Sequence, residues 1–182
     1  MCGITGALWF EQSGAVSLEA LDAMTDALDH RGPDDRGTFL QPLTPDVAGV
    51  IPGVALGFRR LSIIDLAGGH QPMTNEDGSV VMVFNGEIYN YRELRRRLEG
   101  SGHRFRTESD SETIIHRYED LGTGCFEALN GMFAIAIWDG RHRQLVLARD
   151  RLGKKPLVYQ ATADQVLFGS ELKALATNGS FR

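Results

Sequence analysis

The sequence predicts an α+β fold whose sheets are antiparallel. Its periodic segments run as a strand, a helix, several strands, two helices and further strands, which is not the regular strand–helix alternation of a parallel doubly wound sheet. Four short apolar segments at close spacing in the last third favour an antiparallel meander. The 182 residues are enough to bury a sizeable core, and no linker divides them. We therefore expect a single domain over residues 1–182.

The first third of the chain contains a strand, a helix and a loop. Residues 4–10 read as a short buried strand, and Ser17 is a candidate cap for a helix with one apolar face. That face consists of Leu18, Leu21, Met24 and Leu28. The helix leads into the loop HRGPD at 30–34. Residues 40–53 hold three of the six prolines and are predicted to be loop. Apolar strands are predicted at 54–58 and 61–64.

The middle of the chain combines one strand with two helices. Residues 80–84 form a fully apolar run that leads into Asn85-Gly86, a dipeptide that is also a hairpin turn signal. A helix with Tyr91, Leu94 and Leu98 on one face follows. The string SDSE at 109–112 fits a capping box that opens the next helix. The buried face of that helix is predicted to contain Ile114, Ile115, Tyr118 and Leu121.

The last third is predicted to be mostly strand. Asp139-Gly140 fits a turn within it, and residues 171–176 are predicted to form the final helix. The four strands of the expected meander lie at 133–138, 145–148, 157–159 and 166–169.

Charge and composition argue against several classes of function. The formal net charge of −5 disfavours binding to nucleic acid or an anionic membrane, and no apolar run approaches a membrane span. The basic run 95–97 is flanked by Glu93 and Glu99, which is typical of a solvated helix face. Two cysteines and the lack of a secretion signal favour a reducing, cytoplasmic compartment. The five histidines show no metal-ligand spacing, so no metal site is predicted.

Cys2 is a candidate nucleophile because of its position. Small residues after the initiator Met normally permit its removal, which would place the α-amine of Cys2 beside its own thiol. That amine has a reference pKa of about 7.7–8.0 and could act as the base. Gly3 and Gly6 would leave room for a substrate to approach the backbone. Taken alone, Cys2 is better explained as a small buried residue near the chain terminus.

Nine motifs in order make the sequence resemble a known family. The motifs cover nearly the whole chain: MCGITG (1–6), HRGPD (30–34), RRLSIID (59–65), QPM (71–73), FNGEIYNY (84–91), SDSE (109–112), GMFAIAIWD (131–139), RDRLGKKPL (149–157) and GSELKAL (169–175). Together they resemble the glutaminase domain of the asparagine synthetase type of class II glutamine amidotransferase.

The resemblance implies a fold and a reaction. The implied fold is the four-layer αββα sandwich of the N-terminal nucleophile hydrolases, with two antiparallel sheets. The implied reaction is attack of Cys2 on the side-chain amide of L-glutamine, release of ammonia, and hydrolysis of the thioester to glutamate.

The resemblance also assigns site residues. Arg60 corresponds to the arginine that pairs with the α-carboxylate of glutamine, and the backbone of Leu61, Ser62, Ile63 and Ile64 to the pocket wall. Asn85 and Gly86 correspond to the oxyanion hole, and Glu87 and Asp110 to the acids that hold the α-ammonium. Simpler roles remain open for these residues: a surface arginine at Arg60, a turn at Asn85-Gly86, a solvent-facing acid at Glu87 and a helix-start residue at Asp110.

Other positions are given structural roles. The loop 30–34 is expected to close near the nucleophile without catalysing, Arg149 and Asp150 to form an ion pair, and Cys125 to lie in the core. Phe58 stands where the family often has histidine, and Lys154-Lys155 where an apolar residue and a lysine are common. Neither departure is expected to touch a substrate contact.

The phosphate loop of an ATP-pyrophosphatase synthetase domain is missing from this sequence. We therefore expect no cofactor in this domain, with ATP and Mg confined to a synthetase domain or subunit that receives the ammonia. The acceptor would be aspartate or another carboxylate, and a homodimer is left open. Two alternatives remain: an N-terminal hydrolase for another amide, and a non-catalytic regulatory or scaffold domain of the same fold.

Overall fold

The computed structural model describes residues 1–45, 49, 51–61, 69–179 and 181. In chain order its strands and helices are β1 Gly3–Trp9, α1 Leu18–Asp26, β2 Asp35–Pro42, β3 Gly53–Arg60, β4 Met73–Thr74, β5 Val80–Ile88, α2 Tyr91–Gly100, α3 Asp110–Leu121, β6 Gly131–Asp139, β7 Gln144–Arg149, β8 Val158–Ala161, β9 Gln165–Gly169 and α4 Leu172–Ala176. None of the helices in these described ranges is long and apolar enough to cross a bilayer.

The strands form two antiparallel sheets. The first has the order β2-β3-β1-β9-β8, and the second has the order β4-β5-β6-β7. Strand β5 shows how they are layered, since its side chains alternate between two faces. Val81 and Val83 pack in the cluster between the sheets, whereas Met82 and Phe84 pack beneath α2 and α3.

A third apolar cluster joins the first sheet to α1 and α4. Leu21, Met24 and Leu175 are fully buried there against strand residues such as Ala55 and Leu167. Three apolar layers between two sheets and two sets of helices make a four-layer αββα sandwich. The predicted α+β fold with two antiparallel sheets is therefore confirmed.

Helix starts agree with the sequence prediction, with two differences in detail. The Ser17 hydroxyl accepts from the Ala20 N–H at 3.2 Å and caps α1, but Leu18 is 48% exposed and does not belong to its buried face. Ser109 caps α3 by accepting from the Ser111 N–H. The reciprocal half of a capping box is not formed, because the Glu112 carboxylate accepts from the N–H groups of residues 106 and 107 instead.

Three strand predictions are corrected. Residues 35–42 form β2, an edge strand whose side chains are partly exposed and polar, so apolar patterning does not reveal it. The expected meander is wrong, because β7 ends the second sheet while β8 belongs to the first. In the segment predicted as a strand at 61–64, Leu61 lies outside a strand, and 62–64 lie outside the described residues.

Candidate active site

A pocket lies where the start of β1, the ends of β3 and β5, and the N-terminus of α3 meet. It brings together residues from positions 1 to 155 of the chain. Its lining consists of Met1, Cys2, Phe58, Arg60, Leu61, Gly69, Gln71, Phe84, Asn85, Gly86, Glu87, Ser109, Asp110, Ser111, Met132 and Lys155. Seven predicted site residues therefore share one cavity, while Ser62, Ile63 and Ile64 lie outside the described residues.

Cys2 lines this pocket and contacts two neighbours. The backbone N–H of Leu61 lies 3.4 Å from the Cys2 Sγ, and the Leu61 carbonyl oxygen lies 3.7 Å from the same sulfur. The Arg31 Nε donates to the Cys2 carbonyl oxygen at 3.0 Å, and its Nη1 pairs with the Glu171 carboxylate at 2.7 Å. The other cysteine behaves differently: burial raises the pKa of the Cys125 thiol to about 12, as expected for the predicted core residue.

Asn85 and Gly86 lie inside β5 rather than in a turn. Both pair with β6, opposite Ala134 and Phe133. The Asn85 side chain is 1% exposed, and its Nδ2 has no hydrogen-bond partner among the described residues. A Cβ on Gly86 would lie 2.3 Å from the Met132 carbonyl oxygen, so only glycine fits. An amide nitrogen without a partner among the described residues, in the same pocket as a thiol, suits an oxyanion hole.

Charged groups line the pocket next to this donor. Arg60 is 5% exposed at the end of β3, and Asp110 is 6% exposed at the start of α3. The Asp110 Oδ2 accepts from the Ile88 N–H at 2.8 Å. Burial raises the pKa of Asp110, the negative charge of Glu87 raises it further, and the Ile88 N–H opposes both. A bound ammonium would relieve the repulsion between these two acids.

Arg59 and Arg60 point to opposite sides of β3, because successive side chains alternate along a strand. The Arg59 guanidinium pairs with Asp26 at 2.7 Å and with Asp29 at 3.1 Å, next to α1. Its side chain is 13% exposed. Arg60, by contrast, lines the pocket.

The loop 30–34 is part of the wall behind Cys2. Besides the contacts of Arg31, the Asp34 N–H donates to the Arg60 carbonyl oxygen at 3.0 Å. A Cβ on Gly32 would lie 2.5 Å from the backbone of Arg60, which explains the glycine. These contacts agree with the structural role predicted for the loop.

The prediction that Arg149 and Asp150 form an ion pair is wrong. Arg149 donates to the carbonyl oxygens of Gly153 and Lys155. Asp150 accepts from the backbone N–H groups of Phe133, Leu152, Lys154 and Lys155. Both side chains therefore hold the loop by backbone contacts rather than by pairing with each other.

Phe58 and Lys155 were expected to be remote from substrate contacts, but both line the pocket. The Lys155 side chain is buried, and its Nζ lies 3.5 Å from the Met1 Sδ. Gln71 is a further wall residue that sequence reasoning missed. Its side-chain amide bonds both the N–H and the carbonyl oxygen of Phe84, directly before Asn85. The sequence signal for Gln71 was the motif QPM at 71–73, but its residue types do not by themselves indicate a chemical role.

Comparison with known proteins agrees with this geometry. The model of the glutamine amidotransferase domain family matches residues 1–182. The chain is 44% identical over 177 residues to asparagine synthetase [glutamine-hydrolyzing] 2 of Bacillus subtilis, covering 96% of this chain and 22% of that protein. It is 40% identical to asparagine synthetase [glutamine-hydrolyzing] 3 of the same organism, covering 96% of this chain and 27% of that protein. The chain thus spans about a quarter of the length of these relatives.

A solved structure supports the fold. The glutamine phosphoribosylpyrophosphate amidotransferase of B. subtilis, complexed with ADP and GMP, superposes with a TM-score of 0.75 at 22% identity. The match covers 97% of this chain and 43% of that one. With the family model matched along its whole length, this chain belongs to the glutamine amidotransferase domain family.

Proposed function

We propose that this domain hydrolyses the side-chain amide of L-glutamine to glutamate and ammonia, with Cys2 as the nucleophile. The observation that carries the proposal is the Asn85 Nδ2, buried without a hydrogen-bond partner among the described residues, in the same pocket as the Cys2 thiol. A buried unpartnered donor costs roughly 1–3 kcal/mol. A substrate oxygen that becomes negatively charged would satisfy that donor.

The reaction begins after removal of Met1. The free α-amine of Cys2 takes the thiol proton, and the sulfur attacks the amide carbon of glutamine. A C–S bond forms while the carbonyl electron pair moves to oxygen, where Asn85 and Gly86 stabilise the charge. The C–N bond then breaks, and the Cys2 ammonium returns the proton to the leaving nitrogen, so ammonia departs. Water attacks the thioester carbon, which releases glutamate and the thiol.

Charge selects a free amino acid as substrate. The Arg60 guanidinium suits the α-carboxylate because it donates two parallel hydrogen bonds, and Glu87 and Asp110 suit the α-ammonium. A peptide-bound glutamine has neither charge. This combination of one arginine and two acids also argues against a hydrolase for other amides, since such substrates need not carry both an α-carboxylate and an α-ammonium.

The ammonia would pass to a synthetase. The relatives named above are asparagine synthetases, and this chain covers only 22% of the first. We infer an ATP-dependent amidation of aspartate or another carboxylate on a synthetase domain or subunit, which would hold the ATP and Mg. A reducing, cytoplasmic setting suits a mechanism that needs a free thiol.

Glutaminase activity is tested by measuring glutamate and ammonia released from glutamine, after intact mass has confirmed loss of Met1. Wild-type protein should turn over glutamine but not its N-acetyl or methyl-ester derivatives, and Cys2→Ala should be inactive. Equal rates for wild type and Cys2→Ala would refute the assignment. Folded, Met1-free protein without turnover would favour the regulatory or scaffold alternative.

A further inference from the structure

A second group of chemistry-bearing side chains lies on the outer flank of α3. It consists of His103, in the segment before the helix, with His116 and Glu119 on the helix, and we call it the histidine cluster. None of its members lines the pocket around Cys2. Spacing in the sequence does not reveal this group, because the segment after α2 folds back on α3 and brings positions 103 and 116 together.

The distances within the histidine cluster resemble the edges of a tetrahedral metal site. The two Nδ1 atoms of His103 and His116 are 3.2 Å apart. The Glu119 Oε2 lies 3.0 Å from the His116 Nδ1 and 3.9 Å from the His103 Nδ1. Tetrahedral Zn²⁺, with bonds of about 2.0–2.2 Å, separates neighbouring ligand atoms by about 3.3–3.5 Å.

Too few protons are available for these three atoms to satisfy one another. The His103 Nε2 lies 3.0 Å from the Asp120 carboxylate, so its proton belongs there and its Nδ1 presents a lone pair. The His116 Nδ1 faces that lone pair and the Glu119 carboxylate at once. Neutral His116 can supply a single proton between them, whereas a cation would satisfy all three.

Each candidate ligand also has an orienting partner. Asp120 holds His103, and the Asn75 Nδ2 donates to the other oxygen of Glu119 at 2.9 Å. The His116 Nε2, which is buried without a hydrogen-bond partner among the described residues, lies 3.6 Å from the Glu112 Oε1. Metal-binding histidines commonly direct their second nitrogen at a carboxylate in this way.

We propose that His103, His116 and Glu119 bind one Zn²⁺ ion, with the fourth position open to water. Imidazole and carboxylate donors suit Zn²⁺ better than Mg²⁺ or Ca²⁺, which prefer oxygen alone. His103 and Glu119 have side chains 18% and 19% exposed, so an ion can reach the cluster. The ion would pin the segment from His103 to Ser109 against α3, whose first residue, Asp110, lines the pocket.

Burial opposes a charge on His116, but Glu112 and Glu119 outweigh it and raise its pKa. A protonated histidine held by these carboxylates is therefore the competing state. In that state the histidine cluster is held together by hydrogen bonds and has no affinity for metal.

The test is calorimetric titration of tag-free Cys2→Ala protein with Zn²⁺, since that variant removes the accessible thiol. One ion should bind per chain and raise the melting temperature, and Co²⁺ should give tetrahedral absorption bands without thiolate charge transfer. His103→Ala and Glu119→Gln should weaken binding by more than about 100-fold, and Asp120→Asn by about 10–100-fold. His142→Ala, which removes a 66% exposed histidine elsewhere, should bind as tightly as the parent.

No binding by the folded parent, or equal affinity in His103→Ala and Glu119→Gln, would overturn the proposal. The Asp120→Asn variant keeps all three ligands. Weaker Zn²⁺ binding by this variant while it stays folded therefore reports the loss of the contact that orients His103, and not a loss of the fold. None of these readouts depends on glutaminase turnover.

Discussion

At Asn85 the proposed catalytic role and the stability of the fold make opposite demands on one residue. Its amide is almost completely buried inside β5, yet its Nδ2 has no partner among the described residues. A buried donor left unpaired costs roughly 1–3 kcal/mol, and the neighbouring Gln71 bonds Phe84 rather than Asn85. This arrangement fits the proposed role of Asn85 as a donor to an oxygen of the bound substrate.

We predict that Asn85→Ala lowers kcat for glutamine by about 10²–10³-fold, because one of two oxyanion donors is lost. Stability should not fall, since the substitution removes a buried amide nitrogen that has no partner among the described residues. Steady-state kinetics and thermal melting measure the two effects. A kcat equal to that of wild type, or a loss of activity explained by unfolding, would contradict this role.

Asp110 is the second residue where function and stability oppose each other. Burial and the nearby Glu87 raise its pKa in the folded protein above the unfolded value, so the ionised carboxylate destabilises the fold above that pKa. Protonation as the pH falls removes this cost, and it also removes the charge that would hold the α-ammonium of glutamine.

We predict that Asp110→Asn raises KM for glutamine and melts at an equal or higher temperature than wild type. Its amide oxygen can still accept from the Ile88 N–H, and no charge is buried. In wild type KM should rise as the pH falls toward the raised pKa, and this rise should be absent in Asp110→Asn. A KM unaffected by the substitution would exclude Asp110 from the ammonium site.

At the scale of elements, the loop after α1 and the start of α4 jointly support the strand that carries Cys2. Arg31 links them, since it donates to the Cys2 carbonyl oxygen and pairs with Glu171. The Arg31 side chain is 9% exposed, whereas Glu171 is 30% exposed. The ion pair is therefore only partly buried. Solvent weakens its electrostatic attraction, so its contribution to stability is modest.

The pKa of Glu171 gives this contact a defined pH window. Hydrogen bonding by Arg31 lowers the pKa to about 2 from the usual 4.5; burial opposes this, and His30 adds to the lowering. Because the folded pKa is depressed, the stabilisation is present above pH 4.5 and is lost as the pH falls toward 2.

We predict that Glu171→Gln lowers the melting temperature at neutral pH and flattens its dependence on pH in that acid window. Glutaminase kcat should fall as well, because Arg31 loses the partner that aims it at Cys2. Melting curves across the window, with the exposed Glu11→Gln as control, measure the effect. Identical pH profiles for wild type and Glu171→Gln would contradict the prediction.

At the scale of the whole molecule, the stacking of the two sheets places the chain terminus inside a pocket. Strand β1 lies in the centre of the first sheet, between β3 and β9, and its first residues face the end of β5 in the second. Met1 lies in this pocket with its sulfur near Lys155. An extension before Cys2 therefore meets the pocket wall.

We predict that protein carrying any residue before Cys2 is inactive. The cause is both chemical and steric, because an amide replaces the basic amine and the extra side chain occupies the pocket. A protease that cleaves a removable tag directly before Cys2 should switch activity on, as followed by intact mass and ammonia release. Full activity with the tag retained would contradict the amine as base.

Local patterns in the sequence determined the cores of most helices and strands, the caps at Ser17 and Ser109, and the burial of Cys125. Each of these features depends on residues within a few positions of one another. The motifs added the resemblance to a family and, through it, the candidate site residues. The tertiary structure alone decided which strands share a sheet, so β7 and β8 separate although only a short segment joins them. It also decided that Asn85-Gly86 is paired strand, that Lys155 and Gln71 line the pocket, and that two distant histidines meet. Such contacts join residues far apart in the chain, and packing of whole layers sets them rather than local propensity.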